Sequence, residues 1–396
     1  MGGKLKIHNG EIITPFTDMG RGTVLIEDGK ISAVESGEID VSGYEEIDAG
    51  GGYIMPGFID IHTHGAGGHD FMDCTVEACV GIAAEHARHG TTLLFPTTLA
   101  SDNGELFRFF DVYEKVKDSR EGAAFGGLHL EGPYFSYAFR GAQDPKYLKN
   151  PTPDDYMPVL ERCRDIRRWS LAPELPGAME LGRLLVRRGI LPSIAHTDAV
   201  YDDVVAAHEA GFSLITHFYS CMNGVVRRNA FRQAGCIEAG YLIEDMCLEV
   251  IGDGIHVPAP LLRLIMKNKS ADRIVLCTDS MRGAGLPDGT SSILGSLEKG
   301  QEVLIEDGVA KMPDRSCFAG SVATADRLVK TMHFAAGASL TESVRMVTAN
   351  PAAIMGLGKT KGRIAKGYDA DIVVCDRELT PGNTIVGGRE VWKSSK

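Results

Sequence analysis

A chain of 396 residues has room for two or three domains at about 150 residues each, and for a core that needs no disulfide or metal staple. Its 41 Lys+Arg against 53 Asp+Glu give a net charge of −12 with no basic run, which argues against nucleic acid or an anionic membrane as the main partner. An anionic ligand would need a local site that overcomes this field. Apolar (44%) and charged (24%) content is that of an ordinary globular protein, whereas 47 glycines exceed the usual ~7% and predict many tight turns.

The nine cysteines are odd in number and scattered, without a Cys-x-x-Cys pair. That pattern favours neither a disulfide framework nor a thiolate zinc site, and it fits a reducing cytoplasm. The stretch Met1 to Lys6 lacks the apolar core of a signal peptide, and no apolar run approaches the ~18 residues of a membrane span.

In chain order, short strands are predicted at Leu5 to Ile7, Glu11 to Thr14, Thr23 to Glu27 and Lys30 to Glu35, with Asp28-Gly29 as a hairpin turn. After Pro56, apolar runs alternate with amphipathic stretches, the mark of repeated βα units. Eight strands are predicted: Phe58 to Ile61, Thr92 to Phe95, Phe125 to Leu130, Trp169 to Ala172, Leu191 to Ala195, Phe212 to Thr216, Cys247 to Ile251 and Ile274 to Thr278. Eight is the number a closed (β/α)8 barrel requires. Gln301 to Met312 reads as an extra hairpin on the barrel's top. Helical stretches follow at Ala323 to Ala336 and Thr341 to Ala349, then strands at Gly362 to Ala365, Ala370 to Cys375 and Val386 to Lys393. The expected architecture is α/β: a (β/α)8 TIM barrel over residues 56–355, with a small β-sandwich built from both chain ends, 1–55 and 356–396.

In such a barrel the active site lies at the C-terminal ends of the strands. Strand one ends Asp60-Ile61-His62-Thr63-His64, where period two points Asp60, His62 and His64 the same way. Strand three ends His129-Leu130-Glu131, strand five in His196, strand six in His217 and strand eight in Asp279. Five strand ends thus bring His62, His64, Glu131, His196, His217 and Asp279 to one volume. These donors suit one or two borderline divalent ions, Zn2+ or Fe2+. Asp279, on the last strand, is placed to carry a proton. By contrast, His8, His69, His86, His89, His208 and His333 read as hydrogen-bonded core or surface residues. Glu85-His86-Ala87-Arg88-His89 has the wrong order for a zincin helix and reads as a solvated helix face, and Gly356 to Thr360 lacks the first glycine of a phosphate loop.

Met55 to His64 and Lys361 to Val374 resemble the motifs that bracket the amidohydrolase superfamily. Gly127 to Phe135, Ala195-His196-Thr197, Thr216-His217, Gly252 to His256 and Cys277-Thr278-Asp279 are similar, within it, to the family of N-acetylglucosamine-6-phosphate deacetylases. The resemblance implies a cytoplasmic, homodimeric enzyme acting on a phosphorylated amino sugar. It implies metal ligands Glu131, His196 and His217, with His62 and His64 able to hold a second ion, and Asp279 as general base and then acid. His256 would contact substrate, and Arg228, eleven residues after His217, would reach the phosphate, commonly from the neighbouring subunit. Two places depart from the family pattern. Ser220-Cys221 stands where members carry Asn-Ala, its backbone amides still able to cradle phosphate, and Gln143 stands where many carry a substrate-contacting His. The alternative is another amidohydrolase acting on a different N-acetyl-hexosamine, an N-acyl amino acid or a cyclic amide.

Overall fold

The computed structural model describes residues 3–395; Met1 and Gly2 of the N-terminal stretch, and Lys396, lie outside them. All eight expected barrel strands are present: Phe58–Thr63, Thr91–Thr98, Leu128–Glu131 preceded by Ala124–Phe125, Ile166–Leu171, Leu191–Ile194, Leu214–Ile215, Cys247–Ile251 and Ile274–Cys277. They pair in parallel in chain order. Every residue of Phe58–Thr63 and Thr91–Thr98 is buried, which is why these strands read as continuous apolar runs rather than alternating ones. The expected third strand is interrupted at Gly126-Gly127, where Gly127 has φ +120° and no room for a side chain against Arg167.

The last strand returns to the first through a bridge between Thr63 and Ser280, with Asp279 N donating to His62 O at 2.9 Å and His64 N to Ser280 O at 2.8 Å. The buried Asp60 carboxylate fastens this seam, accepting from the Thr278 hydroxyl at 2.5 Å and from His62 N at 3.2 Å. A helix follows each strand, and each buries one stripe. On Ala178–Arg187 the buried set is Ala178, Leu181, Gly182 and Leu185, spaced i, i+3, i+4, i+7. Gly182 lets that helix close on Phe212, whose ring would lie 2.2 Å from any added Cβ.

The two chain ends share one eight-stranded sheet. One member, Lys4–Ile13, replaces two separately expected strands. A bulge between Ile7 and Gly10, with Asn9 at φ 55°, divides it, so that one half pairs with Glu45–Asp48 and the other with Tyr53–Pro56. The sheet encloses a core that includes Ile7, Ile12, Val24, Ile26, Ile54, Ile372 and Ile385, while Ile13, Met55 and Val373 pack into the barrel's own core. Two expectations need correction here. Gly362 to Ala365 is not a strand: Gly362, at φ 81°, turns against the Thr348 carbonyl and leads the backbone away from any ladder. The final expected strand is a hairpin, Pro381–Val386 with Arg389–Lys393, reversed at Gly387-Gly388.

The hairpin expected near Gln301 is part of a three-stranded sheet, Ser291–Leu294, Gln301–Glu306 and Val309–Lys311. Its inner face, with Leu294, Val303 and Ala310, packs on Met281 and Ala319. Buried Arg282 ties this insert to the loop after the first barrel strand, donating to both oxygens of Asp73 (2.9 and 2.6 Å) and to the carbonyls of Gly68, Ile293 and Gly295. Arg282→Met leaves Asp73 buried without its partner and should cost about 3–5 kcal/mol. Urea unfolding followed by circular dichroism measures this as a lower midpoint; an unchanged midpoint would show that the insert is held by its apolar face alone.

Candidate active site

At the carboxyl ends of the strands lies a cavity of about 340 Å3, lined among others by His64, Glu131, Gln143, His196, His217, Ser220, Cys221, His256 and Asp279. His62 is fully buried directly behind this wall. Arg228 is not brought to the cavity within the chain. It stands exposed on a short hairpin, Val226–Arg228 with Phe231–Gln233, and pairs with Asp198 at 3.2 Å. His196 (φ 47°), His217 (30°), Tyr219 (80°), Cys221 (54°) and Asp279 (47°) all adopt left-handed backbone, a conformation that costs a non-glycine residue roughly 1–3 kcal/mol. Left-handed backbone is thus concentrated at the strand ends that build the cavity wall. Cys221 fits there because Gly141 opposite has no Cβ; one would fall 2.6 Å from Sγ.

The donors form two sets that share Glu131. In the first, His196 Nε2 and His217 Nε2 lie 3.1 Å apart, and Glu131 Oε1 is 3.5 and 3.2 Å from them. In the second, His62 Nε2 is 3.4 Å from both Glu131 Oε1 and Asp279 Oδ1, while His64 Nε2 is 3.4 Å from Glu131 Oε2 and 3.2 Å from Asp279 Oδ1. Bonds of about 2.0–2.1 Å to a tetrahedral ion space its ligands about 3.3 Å apart, the spacing seen in both sets. The far ring nitrogens fit the same purpose. His196 Nδ1 faces the Phe139 carbonyl at 2.9 Å, His64 Nδ1 the Thr97 carbonyl at 3.3 Å, and His62 Nδ1 the Glu249 carboxylate at 2.8 Å. Each partner only accepts, so Nδ1 carries the proton and Nε2 offers a lone pair inward. His62 Nε2 is buried and makes no hydrogen bond among the described residues. These residues fit one or two divalent cations.

The electrostatics agree. Burial disfavours a charged imidazole, yet Asp279, Glu249 and Glu131 outweigh it and raise His62 to about 9; Asp279 and Glu131 raise His64 to about 10. Burial likewise pushes Glu131 and Asp279 upward, but the facing histidines hold Glu131 well below the usual carboxylate range and Asp279 below its own. Protons thus take the positive charge that a cation would bring.

Around this centre lie two residues that the sequence reading did not single out, and others whose surroundings only the structure shows. Glu249, one charge within the apolar strand Cys247–Ile251, and Arg168, within Ile166–Leu171, are both fully buried and paired. For Glu249 a lone charge inside an apolar run was the available signal; Arg168, beside exposed Arg167, gave none. Asp253 accepts from His256 Nδ1 at 2.8 Å and from the His256 backbone N–H, leaving Nε2 as that ring's free nitrogen. Gln143 donates to Glu131 Oε2 at 2.7 Å and accepts from Ala100 N at 2.9 Å, so its amide braces a donor as well as lining the cavity. The segment Glu85 to His89 is not a solvated face: His86 is buried, with Nε2 2.9 Å from the Thr63 hydroxyl, and burial lowers its pKa to about 3.

Histidine lone pairs and carboxylates gathered at the open end of a parallel barrel define the site of a divalent-metal hydrolase. The chain belongs to the amidohydrolase family, whose family model matches residues 53–391. It is 31% identical over 376 residues to an N-acetylglucosamine-6-phosphate deacetylase of Lysinibacillus sphaericus, covering 92% of each chain. It is 30% identical over 359 residues to an N-acetylgalactosamine-6-phosphate deacetylase of Escherichia coli O157:H7, covering 89% of this chain and 90% of that one. Among solved structures, a mutant N-acetyl-D-glucosamine-6-phosphate deacetylase of Mycobacterium smegmatis, in complex with N-acetyl-D-glucosamine-6-phosphate, superposes with a TM-score of 0.88 at 28% identity, covering 98% of this chain and 99% of that one.

Because His62 and His64 hold protons up to about pH 9 and 10, an ion entering between them must displace those protons. Zinc affinity of the chelator-treated chain should therefore rise from pH 6.5 to pH 8, by up to about tenfold per pH unit for each proton released. Isothermal titration in buffers of different ionisation enthalpy measures both quantities; equal affinity with no proton release would contradict this charge balance.

Proposed function

We propose that this chain removes the acetyl group of N-acetyl-D-glucosamine 6-phosphate, yielding D-glucosamine 6-phosphate and acetate. The observation that carries this reading is that His64, Glu131, His196, His217 and Asp279 line one cavity with His62 directly behind them, in a chain similar to deacetylases of phosphorylated amino sugars over about nine-tenths of its length. Glu131, His196 and His217, and where two ions are bound His62 and His64 as well, would hold Zn2+ or Fe2+, which would supply a nucleophile from water at neutral pH and polarise the amide carbonyl.

The chain's own residues do the rest. Asp279 takes a proton from the attacking water and returns it to the amide nitrogen as the C–N bond breaks, so that an amine leaves rather than an amide anion. His256, its ring fixed by Asp253, offers Nε2 to the substrate's carbonyl or sugar oxygens. The Ser220 backbone N–H is given to the His217 carbonyl at 2.8 Å, so its hydroxyl, the Cys221 backbone amide and the guanidinium of Arg228, contributed by the second copy of a homodimer, bind the phosphate. Gln143 keeps one N–H for a sugar hydroxyl. The barrel, residues 56–355, carries this chemistry, and the two chain ends, 1–55 and 356–396, brace it. Nine free thiols support a reducing, cytoplasmic setting. The similarity to an N-acetylgalactosamine-6-phosphate deacetylase favours a second reading, the 4-epimer of the same sugar phosphate.

Acetate release from the two sugar phosphates and from free N-acetylglucosamine, with zinc, ferrous iron and manganese, tests the reading. Turnover of the phosphorylated glucosamine derivative should dominate; silence on all three sugars would move the substrate to another amide. Asp279→Asn should keep its metal, read by elemental analysis, and lose at least about 10²-fold in kcat. Arg228→Ala should raise KM for the phosphorylated sugar about tenfold or more and leave the free sugar unchanged. Mixing the two variants should restore activity if Arg228 serves the neighbouring subunit's site.

A further inference from the structure

Directly under the cavity the barrel interior is polar where such barrels are ordinarily filled by branched apolar side chains. Its centre is a buried ion pair, Arg168 with Glu249, neither of which lines the cavity. Arg168 also donates to the hydroxyls of Ser193 and Thr216, each at 2.9 Å, and to the Ile61 carbonyl at 3.2 Å, so its fork is held by four strands besides its own. With one Glu249 oxygen given to Arg168, the other, Oε1, is left for two donors at once: His62 Nδ1 at 2.8 Å and the His217 backbone N–H at 3.2 Å.

We propose that Glu249, held by Arg168, is the positioning residue that keeps His62 presenting its Nε2 lone pair to the cavity, and thereby determines whether the His62–His64 half of the site holds a cation. This rests on the metal site described above. A carboxylate can only accept, so while Oε1 faces His62 the last ring proton stays on Nδ1, and Nε2 is the nitrogen that gives up its proton to an entering cation. The Arg168 guanidinium can only donate, which stops Glu249 from turning away or being replaced by a group that donates toward it. His64, His196 and their backbone carbonyl partners do not depend on this pair. The trio Glu131, His196 and His217 feels this pair through one backbone bond, His217 N–H to Glu249 Oε1, whereas the His62 half feels it through the imidazole ring itself, so the larger loss falls on His62.

The decisive substitution is Glu249→Gln, which preserves shape. Facing Arg168, the new amide must present its oxygen there and its NH2 to His62, which drives the ring proton onto Nε2 and into the cation's place. Zinc bound after equilibrium dialysis, counted per chain, should fall from two to one in Glu249→Gln, with the second site weakened about 10- to 100-fold. Adding Arg168→Met frees the amide to turn its oxygen toward His62, and the second equivalent should return. Because a buried substitution can fail to fold, nitrogen NMR of the zinc-loaded wild-type chain, labelled at histidine, gives an independent reading: His62 should show a protonated Nδ1 and a metal-ligated Nε2. Two equivalents retained at wild-type affinity in Glu249→Gln, no recovery in the double variant, or a His62 protonated at Nε2 would each overturn the proposal. If instead wild type and His62→Asn both bind a single equivalent, the two-ion reading itself fails, which is a distinguishable result.

Discussion

Everything in the site depends on one carboxylate. Glu131 Oε1 faces the Nε2 atoms of His62, His196 and His217, and its Oε2 faces His64 and the Gln143 amide. Four imidazoles from three other strands can converge this closely only around a negative charge, since their inward lone pairs would otherwise repel. The barrel supplies the rigid frame that makes the convergence possible: strands buried on both faces, left-handed backbone at several ends, and a seam between the first and last strands fastened by Asp60 and Thr278.

Much of this was legible in the sequence, for reasons specific to each element. Barrel strands buried on both faces read as uninterrupted apolar runs, so all eight could be placed, and residues at their ends could be assigned to one mouth. Period two along Asp60-Ile61-His62-Thr63-His64 marked the histidine pair. The same period could not show that Asp60 would serve to close the barrel rather than to line the cavity, because that depends on Thr278, 218 residues away. His86 is a hydrogen-bonded core residue as expected, but its helix segment was misread as a solvated face for the same reason: only the Thr63–Ser280 seam explains the burial. Gly362 to Ala365 has the apolar content of a strand, but Ile364 is anchored in the small sheet's core without joining its ladder.

The polar layer beneath the cavity was the least visible part. Glu249 looks like an isolated charge in an apolar segment and Arg168 like one of two adjacent arginines, and nothing in one strand announces a partner three strands away. Recognising that such a charge must be paired when buried is general; recognising with what required the fold. Gln143 illustrates the converse. Its place in the sequence suggested a substrate contact, and the structure adds a bond to Glu131 that links the cavity wall to the donor set.

The two donor sets differ in when they can exist. Glu131, His196 and His217 come from the third, fifth and sixth strands, so their trio needs only a contiguous stretch of the growing chain. The pair His62 and His64 gains Asp279 only when the eighth strand docks beside the first, after nearly three-quarters of the sequence has been made. Closing the barrel and completing the second set are thus a single event. The second set's geometry is therefore a property of the closed barrel alone, whereas the first belongs to an unbroken run of neighbouring strands.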